Sequence, residues 1–481
     1  MSLIGDVSAL LRSVGVAGAG LATLGRARTA FFAALAVLAA LAAPAWAGPQ
    51  DDLPINTDIS GPLLNFDWPA VEVGIASYEA GPTGVTVFRF KKGAAGAVDV
   101  RGGAPGTILT DLLRLGYERP LVGGIVLSGG SAYGLEAIAG VMTALKDDGE
   151  KSGKWTNIAV TPGAIIYDFL GHRLNEIYPD KRLGQATARA LQPGVFPLGP
   201  QGAGRMPTQG GYFGCGAHSG EGGAFRQISD TKIAAFVVVN AYGAITDRDS
   251  NLVNCHRAAN WGTLTKTADL LTRVPDSRNR DWAPPASGTG TRNTTISLVV
   301  TNRKLGWGAL QRLAVQVHTS MARAVQPFST FDDGDTLYAV STEEVGGDTP
   351  TGIDLDTAAG ETMWDAILAS VPQEPAFMPP AAPVTVAAGT LARYTGTYKL
   401  GPNAVITVAL ADGKLSATVS GMGFFDLPEN TAAPLQAISD TAFSVAGRYG
   451  PRLSFVLDAA GKVTGALVNP GKWQQAGTRE P

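Results

Sequence analysis

The chain has 481 residues with a formal net charge of −3, and only 16% of them are charged. That balance lacks the basic face nucleic acid requires, and the length exceeds one ordinary core, so two domains are expected. Its 61 glycines and 30 prolines follow no period, which excludes a fibre and points to a turn-rich α/β or β-rich globular protein.

Residues 1–47 differ from the rest. Arg26 and Arg28 precede an apolar run, Thr29 to Ala43, that ends in Ala45-Trp46-Ala47. A positive flank, a short apolar core and a small-x-small ending describe a secretory signal cleaved after Ala47, so the mature protein is expected to be secreted or periplasmic. The run is short for a membrane span, and no span is expected after signal removal. Cys215 and Cys255 allow a disulfide without establishing one. Neither they nor His218 and His256 have metal-ligand spacing. No metal or cofactor is expected.

From Val71 the chain alternates strands and helices. Val71 to Tyr78 and Gly84 to Phe90 read as paired strands joined by the turn Glu79-Ala80-Gly81-Pro82-Thr83. Leu121 to Leu127 is an apolar strand entering S-G-G-S-A-Y-G-L-E-A (Ser128–Ala137) and then a helix through Leu145. Such a turn brings backbone close to a ligand, yet it has neither a dinucleotide nor a P-loop spacing. Tyr133 is its one aromatic side chain and has a donor to offer, or it simply packs beside the helix. Ile158 to Asp168 is a strand candidate, and Asp180 to Leu191 a helix opening with an Asp N-cap. Gln201 to Gly223 is a long glycine-rich segment, a length that is usually functional. Lys232 to Asn240 is a buried strand, and a terminal asparagine can serve an oxyanion or form an Asx-turn.

Ser287 to Val300 reads S-G-T-G-T-R-N-T-T-I-S-L-V-V. Its first part is exposed-loop composition and its last part the start of a buried strand. Thr294 stands at the junction, where a threonine can attack its own preceding peptide bond; the freed α-amine, with a pKa of about 7.7–8.0, then serves the same hydroxyl as base. Leu305 to Gln326 is an amphipathic helix with Leu310, Leu313, Ala314, Val317 and Met321 on one face, and His318 is expected to cap or pack on it. Asp333-Gly334-Asp335 precedes another strand, so both carboxylates can point into one cavity and hold an ammonium. The later ligands of a calcium loop are missing. Thr362 to Val371 closes the domain as a helix. Residues 371–383 are a proline-rich linker, and residues 384–481 break into short strands with turns at Asp412-Gly413 and Ala460-Gly461, a small all-β domain.

These motifs together resemble the nylon-oligomer hydrolases and the related DmpA-type aminopeptidases, which are self-cleaving amide hydrolases. The resemblance runs from about Leu64 to Leu368. It is carried by Glu79–Val87, Tyr133–Ala137, I-Y-D-F (Ile166–Phe169), Y-P-D-K (Tyr178–Lys181), N-T-T-I-S (Asn293–Ser297), Q-V-H-T-S-M (Gln316–Met321), D-G-D-T-L (Asp333–Leu337) and M-W-D-A (Met363–Ala366). It implies a stacked α/β/β/α sandwich of the N-terminal-nucleophile type over residues 48–370, cleaved between Asn293 and Thr294. It further implies Thr294 as nucleophile, Asn240 as an oxyanion or orienting group, Asp333 and Asp335 as acidic partners, and Tyr133 at the substrate. The implied substrate is a small amide, peptide or 6-aminohexanoate oligomer, and the implied assembly a homo-oligomer, a tetramer of processed heterodimers. Where the family's oligomer hydrolase carries a lysine after Gly202-Ala203-Gly204, this chain reads Arg205-Met206-Pro207. The other reading of the chain is a non-catalytic ligand-binding protein on the same fold.

Overall fold

The computed structural model describes residues 52–79, 82–116, 121–149, 151, 153–169, 177–213, 217–254, 266–271, 293–347, 349–371, 383–401, 404–421, 430–445, 452–468 and 475–481. The expected signal segment, both cysteines, His256, the Ser287–Arg292 loop and most of the proline-rich linker lie outside these residues.

The main sheet starts with the hairpin β1 (Val71–Tyr78) and β2 (Thr83–Val100). β2 runs past the expected end at Phe90. Exposed Lys91 and Lys92 mark a shift of register against the next strand, β3 (Leu121–Ser128), between Arg89 and Ala94. What reads as a strand end is therefore an irregularity in the pairing, through which the strand continues. After β3 come α1 (Leu135–Asp147), β4 (Gly163–Ile165), α2 (Lys181–Arg189), β5 (Glu221–Ile228), β6 (Thr231–Asn240) and β7 (Thr294–Arg303). Then follow α3 (Trp307–Ser320), β8 (Thr336–Val345) and α4 (Gly352–Ala369). The strand order is β5-β6-β7-β8-β2-β3-β4, with β1 on the other side of the first half of β2. Pairing is antiparallel except for β7 with β8 and β3 with β4.

Both faces of the long strands are buried, which explains their continuous apolar runs. Ile296, Leu298 and Val300 of β7 join Phe88, Phe196 and Phe236 in one apolar cluster, where Phe236 lies 4.7 Å from Phe88 and 4.8 Å from Phe196. Val299, on the opposite face of β7, packs with Leu310, Leu313 and Val317 of α3 and Met363 and Ile367 of α4. Ile138 and Val141 of α1 and Leu183 of α2 meet Ala76, Val85 and Val87 in a third cluster. Helices thus cover a mixed sheet whose strands also pack on one another.

Several elements depart from the expected bounds. The strand expected over 158–168 is only Gly163–Ile165, because Pro162 has no N–H for a ladder; Val160 and Pro162 accept from β3 with their carbonyls instead. α4 begins ten residues before Thr362, since the Thr351 side chain caps it by accepting from Asp354 N at 3.3 Å. α2 has the expected Asp180 N-cap, which accepts from Leu183 N at 2.8 Å. His318 lies in the last turn of α3, buried, with Nδ1 2.9 Å from Asp99 Oδ2.

Beyond residue 383 a short helix, Ala388–Ala392, leads into eight strands that close on themselves, the last pairing with the first through Tyr398 and Arg479. The barrel is filled by its own core, in which Tyr394 stacks on Phe455 with centroids 4.3 Å apart. Two strands were not legible in the sequence. Ala433–Ala437 contains a proline, and Gln475–Arg479 is polar and gains its place only by closing the barrel.

Candidate active site

Strand register assembles the site. Asn240, the last residue of β6, lies opposite Thr294, the first of β7. The parallel pairing of β7 with β8 sets Asn293 beside Asp333 as an isolated bridge. Asn240, Asn293, Thr294, Asp333 and Asp335 thereby meet at one end of three neighbouring strands, and each is buried. Thr294 Oγ1 donates to the Asn293 carbonyl oxygen at 2.5 Å, and Gly334 N donates to the same oxygen at 2.9 Å. A Cβ on Gly334 would stand 2.7 Å from both Thr294 Oγ1 and the Ala104 carbonyl oxygen. Only glycine lets this backbone come so close. One carbonyl thus receives a hydroxyl and an amide N–H, the pattern that polarises it toward attack.

The two carboxylates are held by the loop that precedes β8. Asp333 accepts from Tyr242 N at 3.2 Å through Oδ1, and from Thr330 N at 3.1 Å and Thr330 Oγ1 at 2.6 Å through Oδ2. Asp335 accepts from Thr295 N at 2.5 Å and Ser329 N at 2.9 Å. Burial is the main cause that pushes the Asp335 carboxyl up to about 7, with the Asp333 charge next; burial also raises Asp333. A carboxyl that titrates near neutrality suits proton transfer. The Thr294 hydroxyl faces the Asn293 carbonyl, and the carboxylates grip the backbone on either side of it.

The Asn240 amide spans two loops. Its Oδ1 accepts from Thr208 N at 3.0 Å and its Nδ2 donates to the Tyr167 carbonyl at 2.9 Å. Tyr133 is 53% exposed, with its ring 5.5 Å from Tyr178 and 6.5 Å from Phe169. Among the described residues no hydrogen bond joins it to Thr294. Arg205 is buried and forks onto Glu79 Oε2, at 2.8 Å from Nη2 and 3.2 Å from Nε. Its guanidinium is therefore engaged with the turn after β1. Beside it, the Glu221 carboxyl accepts from Thr86 Oγ1 and from Gly204 N, and burial pushes it up to about 8.

Three of these groups, Tyr167, Thr330 and Glu221, were missed by sequence reasoning. Tyr167 acts through a carbonyl, which every residue has, so no signal could have found it. Thr330 and Glu221 are reached only through tertiary contacts. Gly334 did carry a signal, as the glycine between two aspartates ahead of a strand.

Comparison with known proteins shows the family. The profile of peptidase family S58 matches residues 66–373. The chain is 39% identical over 342 residues to a 6-aminohexanoate-oligomer endohydrolase of Paenarthrobacter ureafaciens, covering 68% of this chain and 91% of that one. An uncharacterized aminopeptidase of Mycobacterium leprae is 33% identical over 276 residues, covering 54% of this chain and 71% of its own. Among solved structures, the L-aminopeptidase D-Ala-esterase/amidase of Ochrobactrum anthropi superposes with a TM-score of 0.48 at 17% identity, over 66% of this chain and 88% of that one.

Proposed function

The chain belongs to peptidase family S58, and we propose that its amide-hydrolysing nucleophile is Thr294, freed when the chain cuts itself between Asn293 and Thr294. The observation that carries this reading is the Thr294 hydroxyl 2.5 Å from the Asn293 carbonyl oxygen, with the Gly334 amide on that same oxygen. Oγ1 adds to the Asn293 carbonyl carbon and gives up its proton, and the Asn293–Thr294 C–N bond breaks as nitrogen takes a proton. The resulting ester between Asn293 and Oγ1 is hydrolysed by water to a carboxylate and the free hydroxyl. Gly334 N–H supports the oxyanion during the shift. The freed α-amine then takes the hydroxyl proton when an external amide is attacked.

Two relatives named for 6-aminohexanoate oligomers and for aminopeptidase activity support short polyamides or peptide amides as the substrate class. The reading also includes export after loss of residues 1–47, a four-layer α/β/β/α body supported by the three apolar clusters, a separate C-terminal barrel, and an assembly of processed copies. Mass spectrometry of the purified protein should find a C-terminal fragment beginning at Thr294. Thr294→Ala should yield one intact chain without amidase activity. A different new N-terminus, or an active Thr294→Ala protein, would overturn the nucleophile.

A further inference from the structure

Tyr167, Asp168 and Phe169 follow one another just after β4 and reach three parts of the site. The Tyr167 carbonyl accepts from Asn240 Nδ2 at 2.9 Å. The Phe169 ring lies 6.5 Å from Tyr133. Between them Asp168 is wholly buried, and both of its oxygens are used: Oδ2 accepts from Thr83 Oγ1 at 2.6 Å, and Oδ1 from Gly130 N at 2.8 Å. We propose that Asp168 is a positioning residue for turnover, whose carboxylate holds the turn Ser128–Gly134 so that Tyr133 faces the substrate. This rests on Thr294 being the nucleophile of an amide hydrolase.

Packing around the turn carries the inference. A Cβ on Gly129 would come within 2.3 Å of Asp168 Oδ2 and 2.4 Å of Thr83 Oγ1, so the carboxylate lies directly against the backbone. Gly130 and Ser131 both have positive φ, +76° and +52°, and an L-residue such as Ser131 holds that conformation only where its surroundings impose it. Ser131 N is tied to the Ile166 carbonyl at 2.9 Å, on the same segment that carries Asp168. A half-exposed aromatic on a turn so constrained, next to the loop that anchors Asn240, is placed to meet a ligand and contributes little to the core. Among the described residues no cation pairs with Asp168, and burial pushes its carboxyl up to about 6.

The test compares Asp168→Ala, Asp168→Asn, Thr83→Val and Tyr133→Ala with the parent on a 6-aminohexanoate oligomer and on a peptide amide. Asp168→Ala should raise KM about tenfold or more with a much smaller change in kcat, and Asp168→Asn, which keeps an acceptor for Gly130 N, should recover part of it. The double variant with Tyr133→Ala should be no worse than Tyr133→Ala alone. Additive KM effects, or an unchanged KM in a folded Asp168→Ala protein, would overturn the proposal. If Asp168→Ala does not fold, Asp168→Asn and Thr83→Val decide by the same criteria. Amide hydrogen exchange at Gly130–Tyr133 needs no substrate; it should quicken in Asp168→Asn, and unchanged protection would count against Asp168. A parent protein without amide turnover would instead refute the nucleophile reading, while the exchange result still judges the turn.

Discussion

Asp335 is enclosed by protein, and a group with a carboxyl near 7 changes charge in the range where hydrolysis is measured. Asp335→Asn keeps the side-chain shape and most of its hydrogen bonding, so self-cleavage should persist. Turnover should drop about ten- to hundredfold, the worth of a hydrogen bond to a charged group. In the parent, the acid limb of kcat/KM should carry both this carboxyl, raised by burial, and the freed α-amine, and it should become shallower in Asp335→Asn, where the amine alone titrates. Parental rates and pH profile in the variant would make the pair merely a strand-entry turn. Glu221 offers a stability counterpart. Its carboxyl moves from an ordinary 4.5 to about 8 on folding. Between those values the folded chain retains a proton the unfolded chain has released, so this group's contribution to stability falls as pH rises. Urea unfolding of Glu221→Gln should accordingly show a shallower decline from pH 4.5 to 8 than the parent; equal slopes would refute the shift.

At the scale of elements, β6, β7 and β8 do two jobs at once. Their inward faces build the core, and their ends carry the chemistry. Phe236, in the middle of β6 against Phe88 and Phe196, should cost about 3–5 kcal/mol when cut back to alanine, read as a lowered denaturation midpoint; a loss under about 1 kcal/mol would show a site that collapses without a cavity. The glycine between the aspartates answers to the other job. Gly334→Ala puts a methyl 2.7 Å from Thr294 Oγ1, so something must shift, and a misplacement of about 1 Å at the reacting groups can cost about a hundredfold in rate. Self-cleavage followed on a denaturing gel should slow accordingly while the chain stays folded. Cleavage at the parental rate would mean that the close approach plays no part in the reaction.

Over the whole molecule, every candidate catalytic residue precedes Val371, and the barrel's apolar cluster contains only residues beyond it, from Leu391 to Val468. A domain with its own core can in principle fold alone. A chain ending near Gln373 should therefore still cut itself, as judged by the appearance of a fragment beginning at Thr294. A folded but uncut shortened protein would show that the barrel completes the site.

Much of this protein was legible from residue order. The apolar runs of β1, β3, β6 and β7, the Asp180 cap and the start of β7 at Thr294 are local signals, because burial of a strand and capping of a helix depend on neighbours in sequence. The D-G-D motif was legible for the same reason. What only the tertiary structure decided involves partners far apart in the chain. Lys91-Lys92-Gly93 reads as an end, yet β2 continues because β8 and β3 pair with its far half. The polar strand Gln475–Arg479 exists because the barrel closes on it. The carboxylates of Asp168 and Glu221 are raised by enclosure that no local pattern announces. The meeting of Asn240, Thr294 and Asp333 likewise comes from strand register, since a slip of one residue would turn each side chain to the opposite face.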